Sequence, residues 1–239
     1  ETINQTTSFG KSIPELISSS GAITGIKVDM GAKDLANSSE EKITEGLDGL
    51  RERLKKYYEI GARFTKWRGV YIISDKYPSK LSIQSNAHAL ARYSALAQEN
   101  GMVPIVEPEV LMDGNHTAED CLSKTSIVIK KCFEELIEHK VDLTGIILKP
   151  NMILPGNKSS KKINNEEIAK LTLKCLKECV PKEVPLVVCS AINTLFVFVK
   201  LSPMVCQSIP NVSTVRRSMI SASISNSDAA CMASFKLTP

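Results

Sequence analysis

The side chains best suited to chemistry are charged groups placed where short apolar segments end. They are Lys27 and Asp29, Lys66 and Arg68, Glu107 and Glu109, and Lys149. Because alternate residues of a strand share one face, Lys66 and Arg68 should point together, away from Trp67. The two glutamates should share a face for the same reason. If the strands are neighbours in a barrel, all these groups meet at its carboxyl-terminal mouth, where barrel enzymes keep their active sites.

Lysines beside carboxylates in this arrangement indicate attack of an amine on a carbonyl. A lysine amine is nucleophilic only when neutral, which requires burial or neighbouring cations. Lys149 follows an apolar run and is the best candidate for burial, with Lys66 as the neighbouring cation. Glu107 could move protons during imine formation, and Lys27 and Arg68 could bind an anionic substrate. The competing interpretation is that each group is an ordinary solvated strand end, but four successive strands ending this way favour a charged site.

The elements that must position these groups recur at intervals of about 40 residues. Apolar runs lie at 22–28, 64–73, 102–106, 143–148 and 184–189, and a helical pattern fills each gap. Strands that alternate with helices predict an α/β fold with a parallel sheet, either a barrel or a doubly wound sheet. The chain has no Gly-x-Gly-x-x-Gly after the first strand and no Walker motif, which makes a nucleotide-binding sheet the weaker option.

The helices are predicted from capping residues and apolar spacing. For the first helix, Ser38 or Ser39 would cap, glutamates would follow, and apolar residues at three- and four-residue steps would continue to Tyr58 before Gly61 ends it. Later helices are predicted at 83–98, from the Thr117 cap to about residue 139, and after Asn164.

Composition restricts the class of protein. The chain of 239 residues has 43% hydrophobic and 23% charged residues and a net charge of +4. These values predict a globular protein without a nucleic-acid surface, and no apolar run approaches the roughly 20 residues of a membrane span. Seven unpatterned cysteines predict buried thiols in a cytoplasmic protein. Cys175 and Cys179 lack two further ligands nearby in sequence, so we predict no metal site.

Composition also changes near residue 185. The first 185 residues contain 51 charged residues, whereas the last 54 contain 5, together with 10 serines. We therefore predict a barrel-like domain over 1–185 and an unrelated serine-rich tail over 186–239. The segment 195–199 could still pair as a strand, because it is rich in β-branched and aromatic residues. From about Ser202 onward the tail should be poorly ordered.

Six sequence strings carry a family resemblance. They are GIKVD at 25–29, GLDGL at 46–50 with Arg53, GARFTKWR at 61–68, LARY at 90–93, VPIVEPE at 103–109, and LKPNM at 148–152 with Pro155 and Gly156. Each string alone is weak, but their order and spacing resemble class I fructose-bisphosphate aldolases over residues 1–185. The resemblance implies strands three to six of a partial TIM (β/α)8 barrel.

The resemblance also implies an activity and residue roles. It implies cleavage of fructose 1,6-bisphosphate to dihydroxyacetone phosphate and glyceraldehyde 3-phosphate through a lysine Schiff base. Lys149 resembles the Schiff-base lysine, Glu107 the proton-shuttling carboxylate, Glu109 its companion, and Lys66 the second active-site lysine. Arg68 and Lys27 resemble the substrate-binding cations, and Asp29 lies in the same motif. A phosphorylated sugar substrate, no cofactor and a homo-oligomeric full-length protein are implied as well.

Several family features are missing from the sequence. The family's first strand with its catalytic aspartate, its Ser-Gly-Gly-Gln strand and its Tyr-Gly-Arg strand have no counterpart, and Thr65 replaces a usual alanine. We therefore expect an incomplete aldolase with weak or absent activity. The alternative is a non-catalytic aldolase remnant or interaction protein. A different Schiff-base barrel lyase is a third possibility, which the long aldolase-like strings disfavour.

Overall fold

The computed structural model of the chain describes residues 2–190 and 196–199, with the side chains of residues 39, 190 and 196–199 left aside. The strands are β1 (Gly25–Lys27), β2 (Ala32–Leu35), β3 (Ser38–Thr44), β4 (Phe64–Tyr71), β5 (Val103–Val110), β6 (Ile147–Leu148), β7 (Leu186–Ser190) and β8 (Phe196–Val199). The helices are α1 (Ile13–Ser19), α2 (Leu50–Glu59), α3 (Lys80–Glu99), α4 (Ala118–Glu138) and α5 (Asn165–Cys179).

The main sheet has six strands in the order β1-β4-β5-β6-β7-β8. The pairs from β1 to β7 are parallel, whereas β8 runs antiparallel to β7. The predicted α/β class is therefore confirmed, and each predicted apolar run overlaps a strand of this sheet. The sheet continues past residue 185 through β7. The division of the chain at that residue stays a prediction, and most of the predicted tail, including its expected poor order, lies outside the described residues.

The capping residues predict the later helices well. Thr117 and Asp120 form a reciprocal capping box at the start of α4, in which the Asp120 carboxylate accepts from the Thr117 backbone at 2.9 Å. Asn164 caps α5 by accepting from the Glu167 backbone at 2.8 Å. These side chains satisfy backbone N–H groups that the first helical turn leaves unpaired.

The prediction for the first helix is wrong at its start. Residues from Ser38 onward form β3, which pairs with β2 as a hairpin, and α2 begins only at Leu50. The Glu41 side chain is buried and accepts a hydrogen bond from the Ser79 backbone N–H at 2.7 Å. Gly49 then adopts a left-handed φ of 62°, which interrupts helical backbone before α2. Long-range hydrogen bonds therefore outweigh the helical pattern of this segment.

The two faces of the main sheet have different surroundings. The helices cover one face, where Trp67 and Leu148 are fully buried. The opposite face holds a smaller apolar cluster that includes Val103, Ile105 and Ile147. On this second face, β5 presents Val103 and Ile105 in its first half and Glu107 and Glu109 in its second half. A core therefore supports the amino-terminal half of this face, and charge occupies its carboxyl-terminal end.

None of the described helices is both long enough and apolar enough to cross a bilayer.

Candidate active site

The charged residues predicted from the strand ends lie together at the carboxyl-terminal edge of the sheet. In the parallel register, Arg68 on β4 is opposite Glu107 on β5. Lys149 directly follows β6, and its backbone N–H donates to Val106 O at 2.8 Å. Backbone pairing therefore fixes the relative positions of three of these side chains before any side-chain contact is considered.

The centre of the site is the Glu107 carboxylate, which contacts two lysines. Lys149 Nζ donates to Glu107 Oε1 at 2.5 Å, and Lys66 Nζ lies 2.7 Å from Glu107 Oε2. The Glu107 side chain is 3% exposed, that of Lys149 18% and that of Lys66 31%. A buried carboxylate needs such partners because unpaired burial of a charge is costly. The same contacts give Lys149 a proton acceptor at hydrogen-bond distance.

A second set of contacts surrounds Asp29, whose side chain is 2% exposed. It pairs with Lys27 Nζ and accepts from the backbone N–H of Gly31 at 3.0 Å and of Arg68 at 3.3 Å. The Arg68 guanidinium in turn forms an ion pair with Glu109. All seven predicted residues therefore take part in contacts at this edge of the sheet.

The site has one more positively charged side chain than negatively charged side chains. Burial lowers the pKa of Arg68, but the hydrogen bond and charge of Glu109, with the charges of Glu107 and Asp29, outweigh it and raise the pKa. Arg68 is therefore permanently cationic. Four cationic side chains face three carboxylates across these pairs, and the balance of one positive charge favours an anionic ligand.

The helix side of the sheet supports the site from behind. Trp67 lies between the two cationic residues of β4, points into the core and stacks on Tyr93 with ring centroids 5.5 Å apart. The Tyr93 hydroxyl lies 2.9 Å from Thr65 Oγ1 and donates to Ile105 O at 3.3 Å. Burial raises the pKa of Tyr93, and the nearby charges of Asp29 and Glu107 raise it further. The neutral Tyr93 hydroxyl therefore links β4 and β5 by hydrogen bonds behind the charged edge.

Sequence reasoning missed how the hairpin positions the site. The Thr44 hydroxyl at the end of β3 donates to Arg68 O at 2.6 Å, and Asn86 Nδ2 donates to Lys42 O at 2.9 Å. These bonds attach the hairpin to β4 and α3. No sequence motif signals them, because they join segments that lie 24 and 44 residues apart.

Sequence reasoning also missed Cys189, a buried thiol of β7 near Lys149. Burial raises the pKa of Cys189 to about 12, although the charge of Lys149 acts in the opposite direction. Cys189 therefore contributes a neutral group to the surroundings of the lysine.

A cleft of about 260 Å³ adjoins the outer part of the site. Its lining residues come from the ends of β4 and β5, from the segments that follow β5 and β6, and from α4: Arg68, Glu109, Val110, Leu111, Met112, Asp113, Cys121, Asn151, Met152 and Leu154. Asn151 Oδ1 accepts from the Val110 N–H at 3.0 Å, and its Nδ2 donates to Thr125 Oγ1 at 3.0 Å. The Asn151 amide therefore holds the end of β5, the segment after β6 and α4 together beside the charged edge.

Comparison with known proteins places this geometry in a family. A family model described as Glycolytic, fructose-bisphosphate aldolase class-I, matches residues 1–192. Cytosolic fructose-bisphosphate aldolase 4 of Arabidopsis thaliana is 50% identical over 188 residues, covering 79% of this chain and 48% of the relative. A probable class 1 aldolase of Xylella fastidiosa is 49% identical over 185 residues, covering 77% of this chain and 55% of the relative.

A solved structure shows the same likeness. The aldolase from Plasmodium falciparum, crystallised with TRAP and a small-molecule inhibitor, superposes with a TM-score of 0.77 and 43% identity. The match covers 79% of this chain and 55% of that one. The open parallel sheet is consistent with part of the barrel predicted from the sequence. The chain spans about half the length of the relatives it matches, and it belongs to the class I fructose-bisphosphate aldolase family.

Proposed function

We propose that Lys149 forms a Schiff base with the ketone of a phosphorylated sugar, as one step of reversible fructose 1,6-bisphosphate cleavage. The observation that carries the proposal is the contact between Lys149 Nζ and the buried Glu107 carboxylate at 2.5 Å. A proton acceptor at this distance can take the proton that the ammonium must lose before it attacks. Membership of the family supports the same lysine.

Glu107 carries the proton that must leave Lys149 and later reach the departing hydroxyl. The carboxylate takes a proton from the Lys149 ammonium, and the neutral amine then attacks the ketone carbon. The C–N bond forms as the C–O π bond breaks, and a proton moves from the nitrogen to the new alkoxide oxygen to give a carbinolamine. Glu107 returns the proton to the carbinolamine hydroxyl, which leaves as water while the C–N double bond forms. Lys66, 2.7 Å from the other carboxylate oxygen, holds Glu107 in place and supplies a nearby positive charge. The resulting iminium accepts electrons when the carbon–carbon bond breaks, so this scheme needs no cofactor.

Lys27 and Arg68 are proposed to bind the anionic part of the substrate. Arg68 is 40% exposed and Lys27 50% exposed, so both can exchange part of their ion pairs for a phosphate. Asp29 and Glu109 hold these cations until the substrate arrives. Cytosolic names among the relatives support a cytoplasmic protein, and we propose a homo-oligomer for the full-length form.

Trapping the imine tests this proposal. Dihydroxyacetone phosphate with borohydride should add one reduced adduct to the purified chain, detected by intact mass. Lys149→Met should abolish the adduct. Lys124→Met, which changes an α4 lysine outside the proposed site, is the matched control and should leave the adduct in place. If the folded chain gives no adduct, the Schiff-base proposal fails and the non-catalytic alternative is favoured.

A further inference from the structure

Two of the three histidines of the chain meet on the outer helical layer, away from the strands that carry Lys149. His88 lies on α3, and His139 is the residue that ends α4. Glu135, one turn before His139, lies between them. One ligand atom from each of the three side chains lies within 4.8 Å of the other two. Two imidazoles and a carboxylate are a ligand set that zinc accepts in proteins.

The two oxygens of the Glu135 carboxylate have different neighbours. Its Oε1 accepts from Gln84 Nε2 at 2.6 Å and lies 3.1 Å from Lys131 Nζ. Its Oε2 lies 3.3 Å from His88 Nδ1 and 4.0 Å from His139 Nδ1. The Glu135 side chain is 10% exposed. Contacts to the first oxygen therefore hold the carboxylate while the second lies beside His88, as outer contacts do in metal sites.

His139 also has the outer contact of a metal ligand. Its Nδ1 lies 2.9 Å from the backbone oxygen of Glu135. With the proton on Nδ1, this nitrogen donates to that oxygen and leaves the lone pair of Nε2 available for a metal. The His88 ring lies edge-on to the His139 ring, with centroids 4.9 Å apart, and half of the His88 side chain is exposed. This exposed edge gives an ion access from solvent.

We propose that His88, Glu135 and His139 form a surface zinc site that joins α3 to α4. Three protein ligands would leave the fourth tetrahedral position to water. Ligand atoms around zinc are about 3.4 Å apart for bonds near 2.1 Å, so the side chains must close by roughly 1 Å. The half-exposed His88 side chain has room to supply part of this movement.

The alternative for this cluster is an ion-pair network without a metal. Lys131 separates the two interpretations, because its ammonium stabilises a free Glu135 carboxylate but repels a bound dication. Lys131 also lies 3.3 Å from Glu134 Oε2, so it has a second partner when zinc occupies the site. Replacing Lys131 should therefore strengthen zinc binding, whereas it should weaken a simple ion-pair network.

The test is zinc titration of the chelator-treated full chain against a chromophoric competitor, after alkylation of any thiol that is accessible in the folded chain. We expect one zinc per chain. His88→Ala, Glu135→Gln and His139→Ala should each weaken binding by at least about 100-fold, beyond the range for outer contacts. Gln84→Ala should weaken it by about 10-fold, and Lys131→Gln should strengthen it.

Glu119→Gln is the matched control, because Glu119 is an exposed α4 carboxylate far along the helix from the cluster. It should bind zinc as the parent does. Circular dichroism of each metal-free variant checks that the helices persist. Cobalt substitution supplies a second readout, since imidazole ligation gives an absorption band that His88→Ala should change. No zinc binding by the folded parent, or unchanged affinity in the His88→Ala/His139→Ala double variant, would overturn the proposal.

Discussion

Removing the Glu107 carboxylate should destabilise the fold more than removing the Glu109 carboxylate. Glu107→Gln leaves two ammonium groups, Lys149 and Lys66, facing a neutral amide in a largely buried position. Breaking a fully buried ion pair costs about 3–5 kcal/mol. Both lysines retain some exposure, so water offsets part of that cost, and we expect the free energy of unfolding to fall by about 2–3 kcal/mol.

Urea unfolding followed by fluorescence measures this change, because Trp67 is the single tryptophan and is fully buried beside Lys66. Glu109→Gln is the matched control. Its carboxylate is 27% exposed and pairs with a 40% exposed Arg68, so its loss should cost about 1 kcal/mol or less. A double-mutant cycle of Glu107→Gln with Lys149→Met should give a coupling of about 1–3 kcal/mol. Equal losses for the two glutamine variants, or a coupling near zero, would refute the reasoning.

Three further predictions follow from residues around the site and the loops. Thr65→Ala leaves the Tyr93 hydroxyl with its longer bond to Ile105 O, so urea unfolding should show a loss of about 1 kcal/mol, whereas no loss would show that this bond is not stabilising. Burial lowers the pKa of His116 against the opposing charges of Asp120 and Asp113, so the unfolded chain binds the proton first as pH falls. Stability should therefore fall from about pH 6.5 downward, and His116→Gln should flatten that part of the profile; an unchanged profile would contradict the assignment. Because burial raises the pKa of Cys189 to about 12, peptide analysis should find it unlabelled by iodoacetamide at pH 8 until urea is added, and rapid native labelling would contradict its burial.

The parts of the fold that sequence predicts best depend on local chemistry. Apolar runs mark each strand of the parallel sheet, and Thr117 and Asn164 mark two helix starts because capping involves residues three apart. The charged edge follows from alternation alone, since Glu107 and Glu109 must share a face of β5. Which lysine contacts which carboxylate does not follow from alternation, because that depends on the register between strands.

The parts that sequence does not predict depend on contacts between distant segments. The hairpin of β2 and β3 replaces the start of a predicted helix because Glu41 is held by Ser79, 38 residues away. The cluster of His88 and Glu135 escapes the sequence argument for the same reason, since 47 residues separate them. The spacing of residues along the sequence does not indicate either of these two contacts.

The most direct test of the central claim is the position of the reduced adduct within the chain. After treatment with dihydroxyacetone phosphate and borohydride, digestion and tandem mass spectrometry identify the modified lysine. Lys149 and Lys66 both contact Glu107, so both are physically able to exchange a proton with it. The account predicts modification of Lys149 alone, because it is the more buried of the two. An adduct on Lys66 or Lys27, or no adduct on the folded chain, would contradict it.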